Sequence, residues 1–190
     1  FLFSVVFCVR TFSYSGVLSG SKGKLFVINT EHFDIIYPQD CRKTAEKIAR
    51  VAEPYYKEIS EKLGFKKNVF CPVTITKQVE YSNAYFSMVP YNHIVIYDSP
   101  DLPADDFLEN KIEAIFYHEL VHGITFSMKG SFWSGVSIFA DFLTPAGLSL
   151  SKFWFEGAAV SFESMKKGGR LNSPFFTQVV AEAKVSHLAG

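Results

Sequence analysis

Apolar and polar positions alternate along the first part of the chain and then recur at helical spacing. Residues 24–29 (KLFVIN) and 32–37 (HFDIIY) are short β-rich runs. Thr30 and Glu31 between them predict a tight turn, and so a hairpin. Over residues 41–63 the apolar side chains Ala45, Ile48, Ala49, Ala52, Tyr55, Tyr56, Ile59 and Leu63 fall on one helical face. Asp40 is the expected N-cap of that helix, Pro54 is expected to bend it, and Gly64 to end it. Residues 72–76, 81–89 and 93–98 read as strands, with a turn at 89–92 joining the last two. A turn-rich linker, 100–106, offers Asp105 or Asp106 as N-cap for a helix over 107–128. After a Gly/Ser-rich break at 129–135, a helix is expected over 136–142. Another carries Glu156, starting near Ser151 and stopping at Gly168-Gly169, and residues 173–187 read as a further helix. Strands first, then helices, with little alternation, predict an α+β fold.

Composition narrows the function classes. The chain has 190 residues, the length of one domain, and 48% of them are hydrophobic, enough for a real core. Net charge is zero, which argues against nucleic acid as a partner and against disorder. Residues 1–8 (FLFSVVFC) form an apolar run, followed by Arg10 and a stretch ending in small residues at Gly16. This resembles the apolar core and cleavage zone of a secretory signal peptide without its basic start. The run is too short to span a bilayer; the alternative is a buried N-terminal strand. The expectation is therefore a signal remnant at 1–16 and an exported protein: periplasmic, envelope-bound or extracellular. Phe7 stands where a lipidation signal would place a small residue before Cys8, so lipidation is not expected. Cys41 and Cys71 remain; they could pair in an oxidising compartment, but two buried thiols are the simpler reading. The helix still in progress near the end suggests a piece of a longer protein, with further domains C-terminal to it.

The candidate chemistry lies at residues 118–122, His-Glu-Leu-Val-His. Two histidines four apart on a helix lie about 40° apart around its axis, on one face. Both imidazoles can then reach one ion at about 2.0–2.1 Å. Glu119 sits beside them, displaced enough to act on a metal-bound water rather than to ligate. Ile112, Ile115, Phe116, Leu120 and Ile124 give the helix its buried surface. The ordinary alternative, two solvated histidines on a surface turn, fits these apolar neighbours poorly. A catalytic zinc commonly has three protein ligands. Glu156 is the best candidate for the third, in the run FEGAAVSFES, where Gly157, Ala158 and Ala159 would let two helices approach. Its ordinary alternative is a carboxylate in a first helical turn.

HELVH followed downstream by W-F-E-G-x-A resembles the gluzincins, the thermolysin-like and aminopeptidase-like zinc peptidases. That resemblance implies a zincin-like fold: a small mixed sheet whose edge strand packs on the active-site helix, followed by a mostly helical part. It implies zinc held by His118, His122 and Glu156, with Glu119 as general base. The strand pair before the helix also resembles the family's, where the edge strand binds an extended peptide; here this implicates Asn83, Ala84 and Tyr85. The resemblance covers roughly residues 70–167. There are departures from it. The gap from His122 to Glu156 is long and holds an apolar insert, residues 131–150. An Asp soon after the ligand Glu orients a ligand histidine in thermolysin-like enzymes, but Val160 stands one turn on. Glu163 and, from the insert, Asp141 are the carboxylates that could replace it. A C-terminal Tyr or His transition-state donor has no clear match; His187 is the only late histidine.

The expectation is thus one zinc metallopeptidase domain over residues 17–190, cut short at its end, with zinc as cofactor and a peptide or protein as substrate. The insert is read first as ordinary core helix, with contact to a membrane surface, a substrate cleft or a further domain as alternatives. Two rivals stay open: a zinc- or peptide-binding module of a larger envelope protein without activity, and an interaction domain in which the motif is a coincidence.

Overall fold

The computed structural model describes residues 24–77, 82–99, 111–128, 152–166 and 169–172, with a few positions beyond. Its architecture follows the alternation in the first strands. Strands β1 (Leu25–Asn29) and β2 (Asp34–Pro38) pair antiparallel, from Leu25 opposite Pro38 to Asn29 opposite Asp34. The connection is longer than the predicted two-residue turn, and His32 lies outside the strand. Side-chain bonds account for this. Thr30 Oγ1 bonds Phe33 and donates to Glu53 Oε1 at 2.6 Å, while the His32 amide donates to the same oxygen at 2.8 Å. These bonds draw the loop onto the following helix instead of into the ladder.

That helix, α1 (Arg42–Leu63), buries Ala45, Ile48, Ala52, Tyr56 and Ile59, as its spacing predicts. Pro54 lies inside it, and Gly64 closes it at φ 64°, the left-handed conformation glycine adopts without strain. Asp40 is not its cap. A 3-10 turn at Gln39–Cys41 precedes the helix, and the Arg42 amide bonds Gln39 O, so backbone carbonyls serve the first turn instead.

Strands β3 (Val73–Thr76), β4 (Asn83–Ser87) and β5 (His93–Tyr97) complete a five-stranded sheet of order β1-β2-β3-β5-β4. The β2–β3 and β3–β5 pairs are parallel, and β4 returns antiparallel to β5 as an edge strand. The sheet is mixed, and the fold is α+β as expected. Helix α2 (Lys111–Ser127) packs on α1, β4 and β5, and helix α3 (Lys152–Ser164) packs on α2. One core joins them: Phe33, Ile35, Val73, Ile75, Ile94 and Ile96 from the sheet side meet Ile48, Ile59, Phe116, Leu120 and Ile124. Fully burying a side chain such as Phe116 contributes roughly 1.5–3 kcal/mol.

Helix α3 ends earlier than predicted, at Ser164 rather than near Gly168. Gly169 then packs so tightly that an added Cβ would clash with Glu163 O and Ser164 Cα. Cys41 and Cys71 are free and buried, and their thiols are pushed up to about 12. Burial is the chief cause at both, with the Asp40 and Asp98 charges adding to it at Cys41. No described helix is long and apolar enough to cross a membrane. The signal-like residues 1–16, the caps Asp105 and Asp106, the insert 131–150 with Asp141, and His187 lie outside the described residues.

Candidate metal centre

His118 and His122 occupy the buried side of α2, with relative exposures of 4% and 8%. Their four-residue spacing brings the ring centroids to 4.8 Å, with the planes nearly perpendicular. Glu156, from the second turn of α3, meets both rings. Its Oε2 lies 3.4 Å from His118 Nε2 and 3.7 Å from His122 Nε2. Ligand atoms of a tetrahedral zinc at about 2.0–2.1 Å stand roughly 3.3–3.4 Å apart. The separations are close to those values, and two imidazoles with one carboxylate are a donor set that suits zinc.

Behind this group stands a second carboxylate from the same helix. Glu163 is buried, at 3% exposure, and its Oε2 lies 3.2 Å from His118 Nδ1. Glu156 and Glu163 thus address opposite nitrogens of one ring. Such a pairing fixes which nitrogen carries the proton and leaves Nε2 with a lone pair for a metal. Of the two carboxylates considered for this role, Glu163 is the described one.

Glu119 reaches the edge strand. Its Oε2 accepts a 2.8 Å hydrogen bond from the Phe86 amide of β4. Helix and strand come close here because residue 123 is glycine. A Cβ on Gly123 would meet the Phe86 ring at 3.3 Å, tighter than comfortable contact. Together these elements enclose a cavity of about 680 Å³, lined by His118, Glu119, His122 and Glu156 and by residues 83–86 of β4. The three implicated strand residues, Asn83, Ala84 and Tyr85, therefore all border it. They differ in role: the Ala84 amide bonds Asn83 Oδ1 at 2.9 Å, whereas the Tyr85 ring packs against His93 and Tyr97.

Phe126 and Phe155 in the lining were not anticipated. Phe86, Phe126 and Phe155 form a stack along one wall, with centroids 5.8 Å apart between Phe86 and Phe126 and 4.3 Å between Phe126 and Phe155. Phe126 is four residues after His122, so helical spacing alone puts it on the ligand face. Gly157, expected in the helix contact, instead faces open space, and Ala159 is the small residue wholly buried there.

A second group among the described residues, Glu31, His32 and Glu53, also has metal-ligand chemistry. Its Glu53 carboxylate is already engaged by Thr30, by the His32 amide, and by His32 Nδ1 at 2.7 Å. That set of bonds anchors the β1–β2 loop to α1.

No protein-family model matches the chain, and no solved structure matches it. An uncharacterized protein of Treponema pallidum (strain Nichols) is similar, at 31% identity over 169 residues. The match covers 86% of this chain but 14% of that protein, so the chain spans a small part of its relative.

Proposed function

We propose that this chain is a zinc-dependent metallopeptidase domain of the gluzincin type, with a zincin-like fold, acting on peptide or protein substrates. The observation that carries the reading is the meeting of His118, His122 and Glu156 around one point, in the cavity that Glu119 also lines. His118 and His122 through Nε2, and Glu156 through its carboxylate, would hold the ion. When bound, zinc supplies a Lewis acid that polarises a water and the scissile carbonyl. Glu119 would serve as the general base, its carboxylate taking a proton from the attacking water and passing it to the leaving amine. Glu163 keeps the His118 ring oriented from behind. The edge strand β4 aligns an extended substrate beside these groups. Its Ala84 and Phe86 amides are held by Asn83 Oδ1 and Glu119 Oε2, so a peptide must exchange with those contacts to use them.

Replacing Glu119 by Gln tests the reading. Zinc content should stay at the wild-type level while turnover of a peptide library falls by at least about a hundredfold, the lower end for loss of a general base. A Glu119→Gln variant as active as wild type would overturn the mechanism.

A further inference from the structure

We propose that Lys166 is a positioning residue of the metal centre: a clamp that holds the end of the carboxylate-bearing helix α3 against α1 and α2. The proposal rests on the metal reading of His118, His122 and Glu156. Helix α3 supplies both carboxylates that address His118, so small shifts of α3 along α2 would move both at once. Lys166 lies three residues beyond Glu163, just past the end of the helix. Its Nζ sits 3.5 Å from the Tyr55 ring centroid and 4.0 Å from that of Tyr117, over two rings that are perpendicular to each other. The same Nζ lies 3.1 Å from Glu58 Oε2. Glu58 in turn accepts from Tyr117 Oη at 3.0 Å and from Lys62 at 2.8 Å. The Tyr55 hydroxyl donates to Glu113 at 3.3 Å.

The placement matters more than the number of partners. Tyr117 immediately precedes His118 on α2. The Tyr117–Lys166 and His118–Glu163 contacts are therefore neighbouring rungs from α2, one to the residue just past the end of α3 and one to α3 itself. One rung carries the chemistry, and the other carries a cation held over aromatic faces with a carboxylate beyond. Burial disfavours the charged amine and pulls its proton affinity down, while Glu58 acts against that. Although the side chain is 32% exposed, the ammonium is held at Tyr55, Tyr117 and Glu58 by its geometry. Arginine would keep the charge and the ring stacking, whereas methionine would keep only the length.

The test compares wild type, Lys166→Met and Lys166→Arg by two readouts. Zinc affinity is measured by chelator competition, and amide hydrogen exchange is followed along the metal-free chain. In Lys166→Met, zinc binding should weaken about tenfold, in the range for loss of outer support of a metal site. Exchange should quicken in α3 while the β-sheet and α1 keep wild-type protection. Lys166→Arg should recover both to within about threefold of wild type. Unchanged α3 exchange in Lys166→Met overturns the clamp, as does zinc affinity equal to wild type in a chain that binds zinc. Loss of protection throughout the fold, equal in both variants, also overturns it, since the role would then be general stability. A wild-type chain that takes up no zinc overturns the metal reading instead, and the exchange experiment, which needs no metal, still decides the clamp.

Discussion

Removing the carboxylate behind His118 offers a graded test of the proposed zinc centre. Glu163 Oε2 lies 3.2 Å from His118 Nδ1, and the two side chains are 3% and 5% exposed. Burial strengthens such a contact, and a hydrogen bond to a charged group is worth about 1.5–3 kcal/mol. The separation is longer than the 2.7–2.9 Å of strong charge-assisted bonds, which favours the lower part of that range, about 1.5–2 kcal/mol. If the full term is lost from the metal-bound state, zinc affinity falls about ten- to thirtyfold in Glu163→Ala. That lies within the roughly ten- to hundredfold found for outer partners of metal-bound histidines. Glu163→Gln keeps an acceptor for Nδ1–H and loses the charge, so it should fall between wild type and alanine. Chelator competition gives the affinities, and thermal unfolding of the metal-free proteins separates affinity from stability. Zinc affinities within about twofold of wild type in both variants would refute the reasoning, because the buried contact would then contribute nothing to the site.

Three further outcomes follow from particular contacts. Gly169→Ala places a Cβ in clash with the backbone of Glu163 and Ser164 and should cost about 1–3 kcal/mol in denaturant unfolding. Gly157→Ala meets nothing within 4 Å on the outer face of the same helix and should stabilise by roughly 0.5–1 kcal/mol; the reverse order of the two variants would contradict the packing described. Burial raises the Glu53 and Glu58 carboxyls. Their hydrogen bonds, from Thr30 and His32 at Glu53 and from Lys62, Lys166 and Tyr117 at Glu58, outweigh it and leave both below the ordinary value. The stability they add is therefore full above the unfolded carboxyl value of about 4.3 and is lost as pH falls through the lowered folded values. Glu53→Gln should flatten the acid limb of unfolding free energy against pH, and an unchanged limb would count against the loop anchor.

Much of this arrangement was legible in the sequence because it rests on local periodicity. The helical face of α1, its stop at Gly64 and the strand runs each follow from neighbours within a few residues. So does the pairing of His118 with His122, which needs only helical spacing. Glu156 and Glu163 lie seven apart, close to two turns, which is why both can address one ring. What was hidden depends on contacts between distant segments. The parallel order of β2, β3 and β5 leaves no mark on strands this short. The β1–β2 loop departs from a tight turn because Glu53, on the next helix, accepts from the His32 amide and the Thr30 hydroxyl. Asp40 was displaced as a cap by a 3-10 turn whose backbone serves the same amide. The sequence does not single out Lys166, and only the meeting of Tyr55, Glu58 and Tyr117 gives it a specific place.

The most direct measurement is the metal content of the purified chain by elemental mass spectrometry, prepared without chelator, with Glu156→Ala beside it. Three protein ligands predict about one zinc per wild-type chain and a marked loss in the variant. A wild-type chain without zinc, or a Glu156→Ala chain that holds as much as wild type, would contradict the site.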